Sequence, residues 1–230
     1  MDWFQKILEI DTSWFLYLNS FHNDFWDTIM LMVTTKETWI PFYLIVIFFI
    51  IKNYRSKSVI IFIFLALTIL LSDQISGLIK ESVGRLRPVY NPEIEYLVHN
   101  VLRKGGRFSF VSSHATNSFG VFIFTSLIFK NRNYSFLLLF WAILFSYSRI
   151  YSGVHYLSDI ICGACLGLLI GFAMYKSLMF VENRYFIARS PRIDKTRLST
   201  AQFNVILLGF GVVVLTTVIV VSILHYYNYL

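Results

Sequence analysis

Residues 58–79 read SVIIFIFLALTILLSDQISGLI, and the chain turns polar and basic immediately afterwards, at Lys80. A helix rises about 1.5 Å per residue and the bilayer's hydrocarbon core is about 30 Å thick, so this run is long and apolar enough to cross it. Asp73 is a costly group at membrane depth and is expected to face the inside of a helix bundle. It precedes Lys80 by seven residues, a rise of about 10 Å, too far for direct pairing. Outward from this stretch, residues 155–179 and 203–224 repeat its character. Residues 38–51 and 134–148 are shorter, and 113–129 carries polar residues early. The pattern predicts six crossings, the short ones tilted or extended into the interface.

The whole chain agrees with that reading. Of its 230 residues 57% are hydrophobic, 18% aromatic and only 14% charged, with a mean hydropathy of +0.63. This excludes an ordinary water-soluble domain. The first 35 residues are rich in aromatics, but Glu9, Asp11, Asp24 and Asp27 interrupt every candidate span, which predicts an interfacial amphipathic segment. With no repeat or long linker, the expected fold class is all-α. It is one integral membrane domain over 1–230, with 1–35 interfacial, 38–179 the helical core and 203–224 the last crossing. The opening MDWFQKILEIDTSWF lacks the basic region and apolar core of a cleaved leader, so the chain is expected to start near Met1. Cys162 and Cys165 form a single CxxC inside an apolar run, where they read as small membrane-helix residues and imply no disulfide.

Twenty Lys and Arg against thirteen Asp and Glu give a net charge of +7. Two readings compete for this surplus: loops held in the cytoplasm, or a grip on an anionic substrate. Nucleic acid is excluded as a partner because the charges form no continuous basic domain. Six crossings put Lys52, Arg55, Lys57, Lys130, Arg132, Lys176, Arg184, Arg189, Arg192, Lys195 and Arg197 on one side. That is 11 basic residues against 9 on the other, which assigns the first side to the cytoplasm.

Three stretches meet on the second side. The first runs from Lys80 through Arg85 and Arg87 to Pro88. The second is Phe110-Val111-Ser112-Ser113-His114, and the third joins Ser148-Arg149 to His155 and Asp159. His155 and Asp159 are four residues apart and share a helix face if a helix begins near His155. A carboxylate bonded to one imidazole nitrogen leaves the other as a nucleophile. His114 follows two hydroxyls at a helix start and can protonate a leaving alkoxide. Lys80, Arg87 and Arg149 can neutralise phosphoryl oxygens, with amides near Ser112, Ser113 and His114 adding anion contacts.

These motifs, KX6RP, then Ser-x-His, then SRX5HX3D, resemble those of the type 2 phosphatidic acid phosphatase family of membrane lipid phosphatases. The second is usually PSGH; here it reads Val111-Ser112-Ser113-His114, and glycine permits a phosphate approach that serine resists. The resemblance implies a phosphohistidine intermediate at His155, Asp159 orienting it, and His114 as acid. It also implies Lys80, Arg87, Ser112, Ser113 and Arg149 as phosphate ligands, with no metal or other cofactor. Taken singly, Lys80 and Arg87 serve equally as interfacial anchors, His155 with Asp159 as a capping pair, and His114 as a satisfied bundle residue. Anchoring alone requires no such spacing in three separate segments.

The expected function is hydrolysis of a lipid phosphomonoester or diphosphate, with undecaprenyl diphosphate the first choice. Lipid A, phosphatidylglycerol phosphate and phosphatidic acid are alternatives, because the motifs read phosphate and not the tail. A lipid phosphotransferase and a non-enzymatic lipid-binding protein remain the other classes, and a vanadate haloperoxidase is disfavoured by the membrane composition. The expected location is a bacterial inner membrane with the site on the extracytoplasmic face, the bilayer and a phosphorylated lipid being the partners; the oligomeric state stays open. Arg85, Arg103, Lys104 and Arg107 fall outside the motif positions and are expected on an outer rim that attracts anionic headgroups. His22, His99 and His225 show no partner pattern and are expected at interfaces.

Overall fold

The computed structural model describes residues 3–102, 105–186 and 191–227, so Arg103, Lys104 and Arg189 lie outside the described residues. Among these residues the chain is all-α, with eight α-helices: α1 Trp3–Asn19, α2 Asp24–Thr34, α3 Ile40–Tyr54, α4 Ser58–Val83, α5 Ser113–Phe129, α6 Arg132–Tyr151, α7 Leu157–Tyr185 and α8 Thr200–Tyr226. Each of the six expected crossing segments is one helix, α3 to α8. Four stretches are long and apolar enough to cross a membrane: Lys36–Val83, Arg132–Tyr151, Leu157–Tyr185 and Thr200–Tyr226. Their outward faces carry exposed Leu44, Phe48, Leu70, Leu169, Leu208 and Val212, as lipid contact requires.

Local chemistry sets the helix ends. The side chains of Asn23 and Asn131 accept from the amides of Trp26 and Tyr134. At the start of α8, Ser199 and Gln202 each accept the other's amide, a reciprocal capping box. At the end of α4, Gly84 takes the left-handed conformation (φ +64°) and returns its amide to the Lys80 carbonyl, which stops the helix between Lys80 and Arg85.

The 17-residue helix α5 lies at the centre, packed against α4, α6 and α7. Its closest neighbour is α7, and glycines set that approach. A Cβ on Gly167 would sit 2.2 Å from the Thr116 carbonyl oxygen; on Gly171, 2.4 Å from that of Gly120; on Gly163, 2.7 Å from that of Ser112. Glycine every four residues along one face of α7 thus lets two backbones touch, as in small-residue helix seams in membranes. The same stretch of α7 also carries the CxxC, whose thiols are free and turned outward, away from the seam.

Two expectations change. The acidic residues of the first 35 do not simply break an interfacial segment. Two of them turn inward from α1 and α2, while Glu9 and Asp24 stay exposed: Asp11 is bonded to Arg85 and Ser158, and Asp27 accepts from Tyr151 and His99. Asn19 is buried and donates to the carbonyls of Ile150 and Tyr151 at the end of α6. His99 therefore has a carboxylate partner, and its ring also stacks on His22 at 3.7 Å. On the opposite side, Lys57 is buried in a 2.7 Å pair with Glu182, whose carboxylate also accepts the Ile193 amide. Lys57 thus ties the turn between α3 and α4 to α7 as well as counting toward the charge bias.

Gly167→Ala is expected to lower stability by about 1–3 kcal/mol through overpacking against backbone that cannot yield. Gly211→Ala, where nothing lies within 4 Å, is expected to leave it unchanged. Thermal unfolding of the two variants in detergent checks the contrast.

Candidate active site

The three motifs converge at one end of the bundle. Past Gly84 the chain pairs briefly with residues 107–109: an isolated antiparallel bridge joins Leu86 to Phe108, and the amides of Arg87 and Ser109 donate to the carbonyls of Arg107 and Arg85. This rung carries Arg87 to the start of α5, where its Nε donates to the Phe108 carbonyl at 3.1 Å. Lys80, in the last turn of α4, donates to the Val111 carbonyl and, at 2.6 Å, to Ser113 Oγ. Ser76, one turn earlier, also donates to Ser113 Oγ, at 2.7 Å.

Ser113 stands where the family usually has glycine. It is the first residue of α5, and among the described residues the positive-φ non-glycine ones are Arg55 and Lys130. The serine therefore meets no backbone penalty, and its hydroxyl fixes the Lys80 ammonium. Ser112 is fully buried: its Oγ caps the Ala115 amide and its own amide donates to the Asp159 carbonyl at 3.0 Å. That amide is thus committed to the α5–α7 contact. Helix geometry leaves the amides of Ser113 and His114 without an intrahelical acceptor.

The reading of His155 and Asp159 as one helix face is corrected. Helix α7 begins at Leu157, so His155 and Tyr156 precede it, with Tyr156 in extended backbone (φ −74°, ψ 165°). The two side chains meet because Asp159, in the first turn, points back: its Oδ2 accepts the Tyr156 amide at 2.9 Å and lies 3.3 Å from His155 Nδ1. A carboxylate only accepts, so Nδ1 carries the proton and Nε2 the lone pair. Gly153, at φ +74°, makes the tight turn from α6 to His155, and a Cβ there would strike the His99 carbonyl oxygen at 2.6 Å.

His155 is 1% exposed. Its pKa is lowered to about 4: burial is the main cause, Asp159 works against it, and Arg149 and Arg87 reinforce it. The imidazole is therefore neutral at physiological pH. His114 lies within electrostatic reach of His155, Arg149, Arg87 and Lys36, and its ring stacks on Phe145 at 5.6 Å. Arg149, 8% exposed, donates from one terminal nitrogen to Thr34 Oγ1 at 2.6 Å. Its buried Nε finds no partner among the described residues. A buried guanidinium with no carboxylate beside it marks a place prepared for an anion.

Several residues in this arrangement were not singled out as site residues by their spacing. Arg85, expected on the rim, instead donates to Ser158 Oγ and Asp159 Oδ1. Its near coincidence with Arg87 in a glycine-initiated turn was the available signal. Asp11, Thr34 and Ser76 carry no local signal, because their partners are 147, 115 and 37 residues away. Asp73 accepts from Asn117 at 2.6 Å, but it is exposed and does not face the inside of the bundle as expected.

Comparison with known proteins places this geometry in context. The sequence model of the PAP2 superfamily matches residues 61–183. The lipid A 4'-phosphatase of Bacteroides thetaiotaomicron is 38% identical over 73% of this chain and 76% of its own. That of Porphyromonas gingivalis is 32% identical over 81% and 80%. The undecaprenyl-diphosphatase BcrC of Bacillus subtilis is 24% identical over 68% and 77%. A crystal structure of Aquifex aeolicus LpxE shares the fold, with a TM-score of 0.58 and 22% identity over 72% of this chain and 94% of that one.

Because the folded pKa of His155 lies below the ordinary 6.5, the site stays unprotonated as pH falls and titrates only near about pH 4. Histidine 15N NMR, assigned with His155→Gln, is expected to show a protonated Nδ1 and bare Nε2 at pH 7 with that low midpoint. A midpoint above 6.5 contradicts the burial argument.

Proposed function

The chain belongs to the PAP2 superfamily of membrane lipid phosphatases, and from that premise we propose that it removes a phosphate monoester from an acylated glycolipid of the lipid A type, through a phosphohistidine at His155. The observation that carries the reading is the buried, uncompensated Arg149 beside a neutral His155 whose second nitrogen is held by Asp159. Arg149, Arg87 and Lys80 offset the charge of the phosphoryl oxygens. Nε2 of His155 forms the bond to phosphorus as the ester P–O bond breaks. The leaving oxygen takes the electron pair and a proton from His114, whose imidazolium form the phosphate dianion favours. His114 then takes a proton from water, whose oxygen attacks phosphorus, and the N–P bond breaks to release phosphate and restore His155. Family members act without a metal, and the basic side chains supply the charge stabilisation here.

Relatedness favours lipid A over undecaprenyl diphosphate. The relatives at 38% and 32% identity are lipid A 4'-phosphatases, whereas the undecaprenyl-diphosphatase stands at 24%. A cavity of about 320 Å³ between α3, α4, α5 and α6 reaches from Lys36 and Phe145, beside His114, into the bundle past Phe42, Val46, Leu65 and Trp141. The basic-residue bias, 11 against 6 once Lys80, Arg87 and Arg149 are assigned to the site, supports an extracytoplasmic site in a bacterial inner membrane.

Phosphate release from bis-phosphorylated lipid A in EDTA is expected to exceed that from undecaprenyl diphosphate, phosphatidylglycerol phosphate and phosphatidic acid. His155→Ala is expected to lower it at least about a thousandfold. Full turnover by that variant rejects the mechanism, a preference for the diphosphate rejects the substrate class, and labelled phosphate appearing in lipid identifies a transferase.

A further inference from the structure

Helix α1 lies outside the span matched by the family model, yet it reaches the candidate nucleophile through an unbroken chain of polar contacts. Asp11, 8% exposed, accepts the Ser158 amide on Oδ1 at 2.9 Å. Its Oδ2 accepts the Ser158 hydroxyl and, at 2.7 Å, a terminal nitrogen of Arg85. The other terminal nitrogen of Arg85 donates to Ser158 Oγ at 2.8 Å and to Asp159 Oδ1 at 3.2 Å. The guanidinium carbon lies over Tyr156, 3.7 Å from the ring centre, and Phe15 of α1 packs edge-on against the same ring at 5.4 Å.

This arrangement divides the work of Asp159 between its oxygens. Oδ2 serves His155 and the Tyr156 amide; Oδ1 is taken by Arg85, which fixes the rotation of the carboxylate. The Arg85 cation would compete with His155 for Asp159 were its charge not shared with a second anion, and Asp11 is that anion. A planar fork that bridges two carboxylates and a hydroxyl is a task for arginine, not lysine.

We propose that Asp11 and Arg85 are positioning residues for His155: through Ser158 and Asp159 they hold the imidazole in its attacking orientation, so that α1 belongs to the catalytic apparatus. The inference rests on His155 as the nucleophile. Neither residue is assigned a contact with phosphate, so their loss should act on turnover rather than on substrate binding.

The test measures phosphate release from bis-phosphorylated lipid A in mixed micelles, together with the rate of 32P incorporation into the protein after alkaline quench, on monodisperse full-length variants. Asp11→Asn keeps the shape and the Ser158 contact but removes the charge. It is expected to lower kcat and the labelling rate about tenfold with KM within about twofold. Arg85→Ala should lower them further, with Arg85→Lys restoring only part. The Asp11→Asn/Arg85→Ala pair should match Arg85→Ala alone, because the two residues act through one carboxylate. A parental kcat in Asp11→Asn with only a lower unfolding temperature makes α1 a mere anchor and overturns the proposal. So does a loss confined to KM, or a fully additive pair. Turnover retained by His155→Ala overturns the nucleophile reading and this proposal together; its loss beside a normal Asp11→Asn overturns this proposal alone.

Discussion

The contact on which the rest depends is backbone against backbone. Glycines 163, 167 and 171 of α7 leave no side chain between that helix and α5, so the carbonyls of Ser112, Thr116 and Gly120 lie against its surface. At the upper end of the seam the Ser112 amide bonds the Asp159 carbonyl. The start of α5, carrying Ser113 and His114, is thereby pinned to the first turn of α7, which carries Asp159 and adjoins His155. A side chain in this seam would separate the two histidine-bearing segments directly, whereas a change at the exposed Leu169 or Phe172 of α7 would meet lipid. Hydrophobic burial drives little of this in a bilayer; close van der Waals contact and satisfied backbone groups do it instead.

Charge is the second constraint, and it is handled differently at the two ends of the bundle. At the loop end, Lys57 and Glu182 are buried as a closed pair, supported by the Ile193 amide. At the site end, Arg85 is closed by Asp11 and Asp159, while Arg149 is left open. Two arginines at the same site thus have opposite tasks. One fixes the orientation of a carboxylate, and the other waits for a charge that the protein itself does not provide.

Much of this was legible from residue order because its causes are local. The apolar runs marked α3 to α8, and three short motifs marked Lys80, Arg87, His114, Arg149, His155 and Asp159. What escaped was set by distance along the chain. Asp11 reads as a break in an amphipathic segment until α1 is seen against α7, and Arg85 reads as a rim charge until Asp11 and Asp159 appear on either side of it. The spacing of His155 and Asp159 predicted a contact for the wrong reason. The pair is made across a helix start by a carboxylate that also caps the Tyr156 amide, not along a helical face. Glycine spacing in the GACLGLLIG stretch was visible, but its meaning required knowing which helix lies opposite.

The position of the site, at helix ends of a bundle whose outer faces are apolar, has a kinetic consequence. A phosphorylated lipid meets this protein while its chains remain in the bilayer, so the encounter takes place in two dimensions. The relevant concentration is then the mole fraction of substrate in the membrane, not its amount per volume of suspension. Diluting the suspension leaves the reaction order unchanged, whereas diluting the substrate with inert lipid slows it, and the physical state of the surrounding bilayer becomes part of the rate law.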